Sequence, residues 1–70
     1  MTPRYFYVSA IDGRKKHIVA GPYMTHKKAL AMVDPVMRYA NDLDGRAWFM
    51  AWGTAGSEER LPAPLGMFEP

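Results

Sequence analysis

The sequence predicts a small α+β domain in which three antiparallel strands pack against one helix, in the order strand, strand, helix, strand (ββαβ). Three observations lead to this prediction. One segment, Thr25 to Asn41, has sustained helical periodicity. Two segments before it and one after it are rich in β-branched and aromatic residues. Turn signals separate the segments at Asp12-Gly13, Gly21-Pro22 and Asp44-Gly45.

The first two predicted strands form a hairpin. Arg4 to Ile11 is the first strand, and Asp12-Gly13 is a strong signal for a tight hairpin turn. A longer loop that extends through Lys16 is the alternative. His17 to Gly21 returns as the second strand, and we expect Gly21-Pro22 to end it because proline has no N–H to donate to a ladder.

The predicted helix begins after Thr25, whose hydroxyl is suited to accept a hydrogen bond from a free N–H of the first turn. Pro35 removes one hydrogen bond in the middle of the helix. We predict a continuous helix bent at Pro35, and the alternative is a break with Asp34 as a second cap. One apolar face is expected to bury against the sheet: Ala29, Leu30, Val33, Val36, Met37 and Ala40.

The opposite face of the predicted helix is partly apolar, although it is expected to face water. It carries Lys28, Met32, Pro35 and Tyr39. Aromatic residues and methionine are enriched at protein interfaces, whereas isolated exposed apolar side chains are common on any surface. We take Lys28, Met32 and Tyr39 as candidate partner-binding residues.

The third predicted strand is Ala47 to Trp52, closed by Gly53. If it pairs with the first strand, the sheet is fully antiparallel with strand order 2-1-3. The helix then covers one face of the sheet. The other face carries Tyr5 and Tyr7, with either Trp48 and Trp52, or Phe49, and needs a cover.

The sequence allows three occupants of this sheet face: the C-terminal tail, a second copy of the chain, or a binding partner. The tail holds four large apolar residues, and its prolines and glycines favour an irregular path over a fourth strand. We therefore divide the chain into a ββαβ domain, residues 1–54, and an extended docked tail, residues 55–70. A second copy would form a symmetric pair, and we expect a monomer or a weak homodimer. A partner would make Tyr5 and Tyr7 contact residues.

Composition excludes several function classes. The chain has 70 residues and no cysteine, which predicts one domain without disulfides and favours a reducing compartment, so we expect it in the cytoplasm. No apolar run is long enough to cross a membrane, and the first 20 residues do not follow a signal-peptide pattern. The two histidines, His17 and His26, do not match a zinc spacing. No catalytic triad motif or phosphate loop is present, so we expect no enzymatic activity, metal or cofactor.

The charge of +2 is distributed unevenly along the chain. The segment 14–28 holds five cations and no acid: Arg14, Lys15, Lys16, Lys27 and Lys28. The alternative function is therefore a small nucleic-acid-binding protein, in which sheet aromatics stack on bases and this segment holds phosphates. The predicted geometry weakens this alternative, because the hairpin and the helix start lie roughly 15 Å apart at opposite ends of the second strand.

Two pieces of the chain resemble short orphan proteins encoded by bacterial phages and mobile elements. In Ala20 to Asp34 a Gly-Pro-Tyr corner leads into a Thr-capped helix, and in Ala47 to Ala55 an aromatic segment ends in Gly-Thr. Small cysteine-free phage proteins include the anti-CRISPR inhibitors, which bind a host effector complex without catalysis. The resemblance implies an inhibitor of a host protein or protein–RNA complex that acts in the host cytoplasm. The resemblance does not identify any binding residue in this chain, because these inhibitors share no common motif.

The leading prediction is therefore a non-enzymatic protein-binding module of the anti-CRISPR type. Its candidate contacts are of two kinds. The partner-binding set is Lys28, Met32, Tyr39, Tyr5 and Tyr7, and the basic set is Arg14, Lys15, Lys16 and Lys27.

Overall fold

The computed structural model describes residues 2–69, which form one antiparallel sheet with a helix on one face. The strand order is β2-β1-β3, and β1 pairs with both neighbours. This arrangement confirms the predicted α+β class and strand order. The elements are β1 (Tyr5–Asp12), β2 (Lys15–Tyr23), α1 (His26–Leu43), a short 3₁₀ helix (Gly45–Phe49) and β3 (Ala51–Ser57).

The tight hairpin predicted between β1 and β2 is confirmed, whereas β2 is longer than predicted. Asp12 pairs with Lys15, so the loop contains only Gly13 and Arg14, and the longer loop through Lys16 is wrong. Gly13 has a φ of +62°, as the first central residue of a type II′ turn requires. The predicted end of the second strand at Gly21-Pro22 is also wrong, because β2 continues to Tyr23. Pro22 is tolerated there because β2 is an outer strand of the sheet.

Helix α1 is continuous through Pro35, so the predicted alternative of a break at that residue is wrong. Thr25 caps the helix as expected: its hydroxyl accepts a hydrogen bond from the Lys28 N–H at 3.1 Å. The helix ends at Leu43, two residues beyond the predicted end at Asn41.

The buried face of α1 differs from the predicted one. Met32, predicted to face water, is 5% exposed, whereas Leu30, predicted to be buried, is 57% exposed. The buried residues of the helix are Ala29, Met32 and Val36, so the helix is turned by about 60° from the predicted orientation, at about 100° per residue. The cause lies in the tail, since Leu65 and Phe68 pack against this core and extend its apolar surface on one side of the helix.

The third strand begins later and ends later than predicted. Residues 45–49 form the 3₁₀ helix, and β3 starts only at Ala51. The strand continues through Gly53 to Ser57, so Gly53 does not close it, and the predicted boundary between residues 54 and 55 falls inside β3. After Trp52, Thr54 has a high β propensity, and pairing with β1 overrides the low β propensity of the small residues around it.

The tail covers the sheet face opposite α1. This reverse face carries Tyr5, Tyr7, Ser9 and Ile11 of β1, which alternate with the residues that face the helix. Tyr7 and Ser9 are buried. The hydroxyl of Tyr7 accepts a hydrogen bond from the Leu61 N–H at 2.8 Å, which places the tail across this face.

The tail then follows the outer edge of β2 and reaches α1. The Leu65 N–H donates to the Val19 carbonyl at 3.0 Å, and the Gly21 N–H donates to the Gly66 carbonyl at 2.7 Å. Beyond this edge, the rings of Phe68 and Tyr39 lie 4.8 Å apart. Of the three covers considered from the sequence, the tail is the one seen on the reverse face.

The Tyr23 hydroxyl fixes the last part of the tail by donating to the Phe68 carbonyl at 2.8 Å. Burial raises the pKa of this hydroxyl, and the nearby Glu69 carboxylate raises it further. Because the folded chain holds this proton more tightly than the unfolded chain, its contribution to stability is complete below about pH 10 and is lost as the pH rises above that value.

We therefore expect the substitution Tyr23→Phe to reduce the free energy of unfolding by about 1 kcal/mol at pH 8, the usual value of one such hydrogen bond. The difference between the variant and the parent chain should shrink toward pH 11, because only the parent loses the Tyr23 contribution. Urea unfolding at the two pH values measures this. A difference that does not change with pH would contradict the assigned contact.

Candidate functional site

The structure places most of the predicted partner-binding residues beneath or against the tail. Tyr7 and Met32 are buried, so neither side chain is available to a partner, and the prediction that they form part of a contact surface is wrong. Tyr5 is half-buried. Lys28 pairs with Glu69 at 3.1 Å, and Tyr39 keeps 40% of its surface exposed while packing on Phe68. The helix face predicted to point toward water is therefore largely an internal docking surface for the tail.

The predicted basic residues lie at opposite ends of the molecule. Arg14, Lys15 and Lys16 are exposed around the β1–β2 turn. Lys27 is exposed in the first turn of α1, beside the other end of β2. The segment 14–28 therefore does not form one continuous basic patch.

A different exposed surface lies at the hairpin end of the molecule. The last turn of α1 and the 3₁₀ helix meet there, and three large apolar side chains face water. Leu43 is 68% exposed, Trp48 is 65% exposed and Phe49 is 87% exposed. We call these three residues the hairpin-end patch. An exposed apolar group of this kind is a frequent mark of an interaction site.

The 3₁₀ helix holds Trp48 and Phe49 outward because both of its ends are fixed. At its start, the Asp44 carboxylate accepts hydrogen bonds from the Arg46 N–H at 3.0 Å and from the Arg46 guanidinium at 2.8 Å. These hydrogen bonds keep the pKa of Asp44 below its ordinary value. At its end, the Ala47 carbonyl accepts hydrogen bonds from the Met50 N–H at 3.2 Å and from the Trp52 indole N–H at 2.8 Å.

The strand pairing shows that the 3₁₀ helix lies near the hairpin. Ala51, two residues after this helix, pairs with Ile11, and Asp12, the next residue of β1, pairs with Lys15 across the turn. The hairpin-end patch and the three cations of the hairpin therefore occupy the same end of the molecule.

An open cavity of about 300 Å³ lies beside the patch, between the sheet, the end of α1 and the tail. Its walls are mostly apolar, and Leu43 belongs both to the wall and to the patch. His17 and Asp44 are the ionisable residues of the lining. Other wall residues are Ala10, Val19, Ala47, Trp52 and Leu65. This volume is at the lower limit of small-molecule pockets, and it also fits one large side chain of a partner.

Sequence reasoning missed the hairpin-end patch because it assigned Trp48 and Phe49 to a strand. The signal that points to the correct structure is Asp44-Gly45-Arg46, in which an aspartate caps the next turn and an arginine two residues later bonds to it. Within residues 2–69, no group of three His, Cys, Asp or Glu side chains is placed to hold a metal ion. The same residues contain no helix long and apolar enough to cross a membrane.

Comparisons of this chain with protein-family models, with curated proteins and with solved structures gave no match.

Proposed function

We propose that this chain is a non-enzymatic protein-binding module that contacts its partner through the hairpin-end patch. The observation that carries the proposal is the exposure of Phe49, 87%, next to Trp48 on a segment whose two ends are fixed by hydrogen bonds. Aromatic side chains have few rotatable bonds and lose little conformational freedom on binding, and tryptophan is enriched among the residues that dominate binding energies.

The neighbouring cavity adds a place for a partner side chain. A Leu or Phe side chain that moves from water into an apolar site gains about 1.5–3 kcal/mol. The patch and the cavity share Leu43, so one partner segment has room to pack on the aromatic residues and insert a side chain. Protein–protein interfaces usually have such a buried centre, surrounded by weaker contacts.

The charges at the same end favour a partner with an acidic border. Arg14, Lys15 and Lys16 surround the hairpin beside the patch, and complementary charge speeds association and sets orientation. We propose a host protein or protein–RNA complex as the partner and inhibition in the manner of an anti-CRISPR protein as the role. The resemblance at Ala20 to Asp34 and Ala47 to Ala55 supports that class of partner.

The proposal is tested with the substitution Phe49→Ser in quantitative capture from a bacterial lysate. We expect the parent chain to retain one defined complex and the variant to bind it at least about tenfold more weakly, a loss of about 1.4 kcal/mol. The matched control is Met24→Ser, because Met24 is similarly exposed, 79%, at the opposite end of the molecule. Equal capture by the parent and both variants would contradict the proposed surface.

A nucleic-acid-binding function is the second candidate, and one observation favours it. The hairpin cations lie at the same end as Trp48 and Phe49, and single-stranded nucleic acids bind where aromatic rings and basic groups adjoin. The sheet aromatics do not support this candidate, because the ring of Tyr7 is buried. Binding of single-stranded oligonucleotides that falls steeply with salt, and that Phe49→Ser weakens, would favour this candidate over protein binding.

A further inference from the structure

The outer edge of β3 is an unprotected sheet edge. The outer edge of β2 is paired with the tail, as described above, whereas no backbone hydrogen bond among residues 2–69 reaches the outer side of β3. The strand has the sequence AWGTAGS, without charge or proline, and its pairing with β1 runs without a bulge from Tyr5–Ser57 to Ile11–Ala51. Protected edges usually carry a lysine, a proline or a bulge to prevent pairing with another chain.

An exposed apolar flank of α1 lies along the same edge. The ring of His26 contacts the Thr54 hydroxyl at 3.0 Å, so the side of the helix that carries His26 lies above β3. Leu30 and Met37 lie within about 40° of His26 around the helix axis, at about 100° per residue. Leu30 is 57% exposed. The opposite side of the helix, with Lys28 and Tyr39, contacts the tail.

We propose that a second copy of this chain binds at this edge. The two β3 strands pair antiparallel across a twofold axis and form a continuous six-stranded sheet. The two α1 helices then lie side by side on the same face, and Leu30 of each copy is covered by the other copy. The surface is self-complementary, as a twofold interface requires.

A second copy fits this surface better than a single strand from another protein. A single strand would satisfy the backbone groups of β3 and leave Leu30 in water, because it brings no second layer. A copy of the chain brings both a strand and a helix, and the distance between them equals the distance between β3 and α1. Strand therefore meets strand, and helix meets helix.

The size of the contact predicts a weak dimer. The seven residues of β3 extend over about 23 Å at about 3.3 Å per residue, and a sheet with a helix layer is about 20 Å high. The contact then buries about 460 Å² on each copy, or about 900 Å² in total, near the lower limit of specific interfaces. We expect a dissociation constant in the micromolar range, on the order of 10–100 µM.

Sedimentation equilibrium of the full chain between about 5 and 500 µM tests the proposal, because this range spans the expected dissociation constant. We expect a monomer–dimer equilibrium that Leu30→Glu shifts at least about tenfold toward the monomer. Met24→Ser is the control for the loss of an exposed apolar side chain and should leave the equilibrium unchanged. The circular dichroism of each variant verifies that it is folded.

Two results would overturn the dimer. The first is a single monomeric species at every concentration, which would leave the edge to other occupants or to none. The second is a dimer that Leu30→Glu leaves intact and Phe49→Ser disrupts, since that dimer would use the hairpin-end patch. The inference is independent of the proposed function, because partner capture depends on Phe49 and self-association depends on Leu30.

Discussion

A chain that ends at Arg60 is expected to be largely unfolded at 25 °C, although it retains all three strands and the helix. The missing residues supply the donor to the Tyr7 hydroxyl, the bonding partners of β2 at Val19 and Gly21, and the acceptor for Tyr23. They also supply Leu65 and Phe68, which pack against the core. The shorter chain would expose the buried ring of Tyr7 and one side of the helix core.

The expected loss is large relative to the stability of so small a domain. A chain of 70 residues typically has a free energy of unfolding of about 4–10 kcal/mol. Removal of the two packed apolar side chains and of the four hydrogen bonds should cost about 6–8 kcal/mol, at about 1–2 kcal/mol for each half-buried side chain and about 1 kcal/mol for each hydrogen bond.

Far-ultraviolet circular dichroism and one-dimensional proton NMR measure the outcome. A chain that ends at Phe68 is the matched control, because it keeps the packed part of the tail and should remain folded with a cooperative thermal transition. A cooperative transition of similar midpoint in the chain that ends at Arg60 would contradict the structural role of the tail.

The substitution Gly21→Ala is expected to destabilise the domain by about 3 kcal/mol or more, from backbone strain and overpacking together. A Cβ atom at this position would lie 2.6 Å from Cδ1 of Tyr7 and 2.9 Å from the Phe6 carbonyl oxygen. Gly21 also has a φ of +134°, a conformation that residues with a side chain rarely adopt. The ring of Tyr7 is fully buried and has little room to move.

Urea unfolding of this variant beside Gly45→Ala measures the effect. A Cβ atom at Gly45 would meet no other atom within 4 Å, and the φ of Gly45 is not positive. The same chemical change there should therefore alter the free energy of unfolding by less than about 0.5 kcal/mol. Equal stability of the two variants would show that Tyr7 does not lie against Gly21.

The strand order and the helix were predictable because their signals are local. Thr25 caps the helix, Gly13 makes the hairpin turn, and a helix between β2 and β3 leaves few ways to pair the strands. Each of these features depends on a few neighbouring residues. Periodicity and turn signals were therefore enough to predict the architecture.

The orientation of α1 was not predictable from its own residues. Whether Met32 or Leu30 is buried depends on Phe68, which is distant in the sequence, because the docked tail extends the apolar surface on one side of the helix. The candidate site was misplaced for the same reason. Lys28 and Tyr39 keep part of their surface exposed, and residues of the tail contact both.

The 3₁₀ helix was missed because its aromatic residues are typical of a strand. Trp48 and Phe49 have high β propensity, and only the capping and ion pairing of Asp44 and Arg46 favour a turn there. The hairpin-end patch forms because residues 45–49 adopt a 3₁₀ helix instead of a strand. The basic hairpin beside it was predicted, since Arg14 lies in the turn signalled by Asp12-Gly13 and Lys15 and Lys16 follow it.

The position of the tail is tested most directly by amide hydrogen exchange, followed by NMR at single residues. The account predicts that the amides of Gly21 and Leu65 exchange slowly, because they bond to the Gly66 and Val19 carbonyls, and that their protection approaches that of Val8 in the centre of the sheet. Exchange of both amides at the rate of an unstructured peptide, while Val8 stays protected, would show that the tail does not pair with β2.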